Sequence, residues 1–85
     1  MIYRSPDAID RSVGSEVLVI RGGESEVHRL SGPVGLVWAA LATPGDPAEI
    51  ADRLAESAPD GVDVGAVVED CIDVLDRFGL IARRR

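Results

Sequence analysis

Lysine is absent from the 85-residue chain, and histidine, cysteine, tyrosine, phenylalanine and tryptophan each occur once. So few reactive groups leave most nucleophile–base–orienter sets impossible to assemble. A lone Cys71 cannot close an internal disulfide. Two soft ligands without Cys-x-x-Cys or His-x-x-x-His spacing cannot complete a tetrahedral metal site, so no metal and no other cofactor is expected. All 9 basic residues are arginines and stand against 15 acidic ones, a net charge of −6. That balance repels nucleic acid and anionic lipid. The longest apolar run, residues 34–42, falls well short of the roughly 20 residues a membrane-spanning helix needs. No charged-then-apolar leader opens the chain, and with a free thiol this makes a reducing cytoplasm the expected compartment.

What is present fits one domain over residues 1–85, with a core at about 8–82, because halves of so short a chain would be too small to fold. Three extended stretches come first: "AIDRSV", "EVLVIR" and "EVHRL". Gly14-Ser15 and Gly22-Gly23 separate them, and the Gly-Gly pair suits a tight hairpin. Residues 17–20 are apolar on both faces and belong in the middle of an antiparallel sheet. The third stretch alternates Val27 and Arg29 against His28 and Leu30, the pattern of an edge.

The period then changes from 2 to 3.6. Val34, Val37, Trp38 and Leu41 share one helical face, with Ser31 as N-cap and Pro33 in the first turn. "TPGD" ends this helix. Asp46 opens a second as N-cap, followed by Pro47 and by Glu49 in a capping-box position, with Ile50, Ala51, Leu54 and Ala55 as the buried stripe. Asp63 caps a third helix whose inner face is Val64, Val67, Val68, Cys71, Ile72, Leu75 and Phe78. Gly79 stops it in the left-handed conformation, Leu80 and Ile81 return to the core, and Arg83, Arg84 and Arg85 form a solvated tail. The expected fold class is α+β, winged helix-turn-helix-like: a three-stranded antiparallel sheet followed by three helices, β-β-β-α-α-α.

A winged helix suggests DNA, but the third helix carries Glu69, Asp70, Asp73 and Asp76 against Arg77 and would repel phosphate. A Cys71–His28 dyad across the sheet–helix seam is conceivable. The simpler account makes Cys71 a small core hydrophobe and His28 a companion of Leu30, and the chain is expected not to be an enzyme. Asp46, Glu49, Asp52 and Glu56 read as a solvated helix face, and Trp38 as core.

The remaining asset is geometric. An edge strand with few protective charges and no proline leaves backbone N–H and C=O groups to be covered or used. With the third helix alongside, the edge forms a groove where an extended peptide could add a strand and place alternate side chains against Val67, Cys71 and Val74. Two other occupants are the N-terminal "MIYRSP" segment and a second copy of the chain, a homodimer.

"SEVLVI", "EVHRLSGPVGLVW", "DPAEIADRLAE" and "VVEDCIDVLDRFGLI", in this order, resemble the PqqD-like family, the peptide-recognition elements of pathways that modify ribosomally made peptides. The likeness covers about residues 10–82 and rests on His28-Arg29-Leu30-Ser31, Trp38, residues 46–51 and residues 75–81. Ser31 stands where Asn is commoner, and His28 where an aromatic is commoner. The resemblance implies a non-catalytic chaperone that binds the leader of a precursor peptide by strand addition and presents it to a modifying enzyme or leader protease. Its binding residues would be Glu26, Val27, His28, Arg29 and Leu30 on the strand, and Val67, Asp70, Cys71 and Val74 on the helix. A free-standing element of this size is similar to those of lasso-peptide clusters. The alternative is a small acidic winged-helix protein-interaction or dimerisation domain without leader binding.

Overall fold

The computed structural model describes residues 1–23 and 25–84. Its elements run β1 (Ile2–Arg4), β2 (Ala8–Val13), β3 (Glu16–Arg21), β4 (Val27–Leu30), α1 (Gly32–Ala40), α2 (Pro47–Ala55), α3 (Val64–Arg77) and β5 (Ile81–Arg83). The expected α+β class and the three-helix succession are present. β2, β3 and β4 form an antiparallel sheet in that order, with β3 central, as its two-sided apolar character requires.

Two short strands were not expected. β1 and β5 pair antiparallel in a second sheet, matching Ile2 with Arg83 and Arg4 with Ile81. Their partners lie about as far apart in sequence as the chain permits, and neither strand spans enough residues to show a period. Ile2 also exchanges backbone hydrogen bonds with Gly45 at 2.8 and 3.0 Å, and the Ser5 amide donates to the Leu80 carbonyl at 2.9 Å. The N-terminal segment is therefore spent on β5 and the turn before α2, and it does not cover β4. Arg83 is correspondingly part of a strand rather than of a tail, and the Arg84 amide donates to the Met1 carbonyl at 2.7 Å. Arg85 lies outside the described residues.

Gly14-Ser15 makes the two-residue turn, joining the paired residues Val13 and Glu16. The Gly22-Gly23 hairpin is wider than expected: β3 ends at Arg21 and β4 begins at Val27, so Gly-Gly opens a longer connection and Glu26 falls in it, outside the strand.

The passage from β4 into α1 depends on Gly32, whose φ of +59° turns the chain sharply where a Cβ would be strained. Ser31 occupies the N-cap in an extended conformation, but its hydroxyl makes no cap hydrogen bond. The expected capping box is present at α2, with the Asp46 amide donating to Glu49 Oε1 at 3.1 Å and the Asp46 side chain set against the Glu49 amide, and Asp63 accepts from the Ala66 amide at 3.2 Å. Gly79 ends α3 at φ +70°.

Val37, Trp38 and Leu41 of the first helical region, Ile50, and Val68, Cys71, Ile72 and Leu75 of α3 bury together with Val19, Leu30, Leu80, Ile81 and Ile2. Ala55 is exposed, since the second helix turns only Ile50 fully inward. Trp38 is core, as expected, and its indole N–H has a partner: Nε1 donates to Asp10 Oδ2 at 2.9 Å. Arg4 closes this cluster, donating to the Trp38 carbonyl through Nη2 at 2.6 Å and lying 4.5 Å from the ring centroid. A buried indole would otherwise lose a hydrogen bond to water.

Candidate peptide-binding edge

In β4 the side chains alternate as an edge strand on a core requires. Leu30 is buried and His28 half-buried on the inner face, while Val27, 54% exposed, and Arg29 face outward. The strand pairs on one side with β3, and among the described residues its other edge meets no strand. Arg29 reaches Glu16 at 3.3 Å across the outer face, a largely solvated pair that contributes little.

α3 presents Val67, Cys71, Val74 and Phe78 at i, i+4, i+7 and i+11, one stripe of its surface. Val67 and Val74 are half-buried. Phe78 is not core, as the periodicity suggested, but 40% exposed at the end of the helix. Its ring stacks on His28, with centroids 4.6 Å apart and an interplanar angle of 25°. This contact joins the sheet edge to the stripe, so apolar surface continues from β4 onto α3. Phe78 is the residue that sequence reasoning left out of the site, because a helical stripe read by period alone does not show where the core ends.

The other expected site residues separate. Asp70 is exposed beside the stripe, and Glu26 is exposed ahead of β4. Cys71 is only 5% exposed and packs with Ile72 and Leu75, a place beneath the groove rather than in it. Burial pushes its thiol pKa up, with the neighbouring Asp70 charge adding to the effect. A thiol held protonated is a poor nucleophile, and no hydrogen bond joins it to His28 among the described residues.

Toward the other end of α3, Val67 also lines an apolar cleft between the three helices, bordered by Val37 of α1 and Leu54 of α2. Among the described residues no group of His, Cys, Asp and Glu is arranged to hold a metal ion, and no helix is long and apolar enough to cross a membrane.

No protein-family model matches the chain, and no curated protein sequence matches it. Among solved structures, the fold is that of TbiB1 in complex with the TbiA(beta) leader peptide, with a TM-score of 0.79 over 98% of each chain and 19% sequence identity. The class defined at this point is a small α+β domain with an open strand edge beside an apolar helix stripe, of the same fold as TbiB1.

Proposed function

We propose that the protein is a non-catalytic leader-peptide-binding element of the PqqD-like type. It takes the leader of a ribosomally synthesised precursor as an added strand on β4, against α3, and presents it to a modifying enzyme or leader protease. The observation that carries this reading is the unoccupied outer edge of β4, joined to the half-buried stripe of α3 by the His28–Phe78 stack. The shared fold with TbiB1, solved with a leader peptide bound, supports it.

Strand addition supplies main-chain hydrogen bonds and register whatever the peptide sequence, while the adjoining apolar surface selects side chains. Micromolar binding needs only about −8 kcal/mol, well within reach of a few ladder bonds and one or two buried apolar side chains. Val27, His28, Arg29 and Leu30 provide the strand, Val67 and Val74 the helix wall, and Cys71 supports that wall from below. Glu26 and Asp70 border the groove as charges. A cytoplasmic location and a lasso-type pathway with a separate leader protease complete this reading.

Titration of the isotopically labelled protein with the leader of a precursor encoded beside its gene tests the proposal. Amides of residues 27–30 and 67–78 should move; saturation with shifts confined elsewhere would sink it.

A second reading, an acidic protein-interaction or dimerisation domain, is favoured by Ile9 at 66% and Val13 at 54% exposure on the outward face of the sheet. Sedimentation showing a tight dimer indifferent to leader would support that reading instead.

A further inference from the structure

We propose that the cleft between the three helices is an anchor pocket for one apolar side chain of the bound peptide, and that with the His28–Phe78 pair it imposes a two-anchor spacing on the leader. This rests on the reading of β4 as the leader-binding edge. The cleft encloses about 130 Å³ and is lined by Pro33 and Val37, by Leu54, and by Val64, Val67 and Val68. Apolar cavities of about 150 Å³ bind benzene, so this one takes a single Leu, Ile or Phe side chain and is too small for an indole. It is continuous with the groove through two residues. Val67 is both part of its wall and the first residue of the α3 stripe, and Pro33 follows the end of β4 by three positions.

The direction of the chain fixes the order of the anchors. β4 runs from His28, which sits against Phe78 just past the end of α3, toward Leu30 and Pro33, near the start of that helix. Strand and helix thus run in opposite senses. A peptide added antiparallel to β4, the slightly stronger pairing, runs along α3 from the cleft to Phe78. Its cleft-filling residue therefore comes first in sequence. From Val67 to Phe78 an α-helix rises about 16 Å, which an extended chain covers in about five residues. Side chains on the same face of a strand are an even number apart, so the second anchor, a planar side chain packing on the His28–Phe78 pair, follows the first by four or six positions.

Selection of displayed random dodecapeptides on the wild-type protein, followed by affinity measurement of the enriched peptides, tests this. Enriched sequences should carry Leu, Ile or Phe, followed four or six residues later by Phe, Tyr, Trp or His. Replacing the first anchor by Ala should weaken binding about tenfold. Ala58→Phe, which fills the cleft from the loop between α2 and α3, and Val67→Thr, near-isosteric but polar, should each cost about as much. On Ala58→Phe the Ala-substituted peptide should lose nothing further. Thermal unfolding shows whether each variant is folded, and either variant alone suffices. Selected peptides that move the β4 amides yet are indifferent to the first anchor and to both variants overturn the pocket and leave the edge standing. Selection that yields no peptide moving the β4 amides overturns the edge reading and the pocket with it.

Discussion

The outer strands of the three-stranded sheet, β2 and β4, face the same problem and solve it differently. Among the described residues each is paired on one side only. On the inner face of β2, Asp10 is occupied by the Trp38 indole and by Arg4, so polar groups close that flank. On the inner face of β4, His28 meets the Phe78 ring, and beyond it lies the apolar stripe of α3. An unpaired edge is therefore not sufficient for a site. On the reading proposed above the edge must also border a wall that rewards side chains, and of the two edges β4 is the one with the apolar stripe of α3 beside it.

The largest way to break this contrast is to remove what anchors β4. Leu30→Ala, at a buried position, should cost about 2–5 kcal/mol in urea unfolding, whereas Val13→Ala on exposed β2 should stay within about 0.5 kcal/mol. Asp10→Ala should cost about 1–3 kcal/mol by leaving the Trp38 N–H without its acceptor, and tryptophan emission should report the change. Its effect on leader binding should be negligible if the β2 flank takes no part. Phe78→Ala removes a partly exposed ring, so it should change stability by under about 1 kcal/mol while weakening leader binding about tenfold by calorimetry.

Cys71, beneath the wall, gives a smaller, pH-dependent effect. Its folded-state pKa is raised above the ordinary 9.0, so the folded protein keeps the thiol proton to higher pH than the unfolded chain does. The associated stability is intact below that ordinary value and is lost as pH rises through it and on toward the folded-state value. Unfolding free energy measured from pH 7 upward should fall more steeply for the native chain than for Cys71→Ala. Smallest of all, Ser31→Ala should cost a few tenths of a kcal/mol rather than the ~1 usual for an N-cap, because the Ser31 hydroxyl makes no cap hydrogen bond.

The legible parts of the fold were local ones. Asp63 and Gly79 bound α3 as their chemistry requires, and Val17 to Ile20, apolar on both faces, lies in the central strand. Phe78 and Glu26 were misplaced for a common reason: period and alternation extend one residue too far when nothing in the pattern marks where packing stops. The β1–β5 pair was invisible because strands of three residues have no period, and their pairing joins the two ends of the chain. The candidate site was half legible. Its strand could be named, but whether the edge stayed open depended on where the N-terminal segment went.

The order of residues alone determined the helices, their caps, the central strand and the poverty of reactive groups, since each follows from spacing, turn chemistry or composition within a few neighbours. Tertiary structure decided that residues 2–4 close on 81–83 rather than on β4, that Trp38 is held by Asp10 and Arg4, and that Phe78 meets His28 at the head of a groove. Those outcomes depend on contacts between distant segments competing for the same partners, and no local pattern records which of them wins.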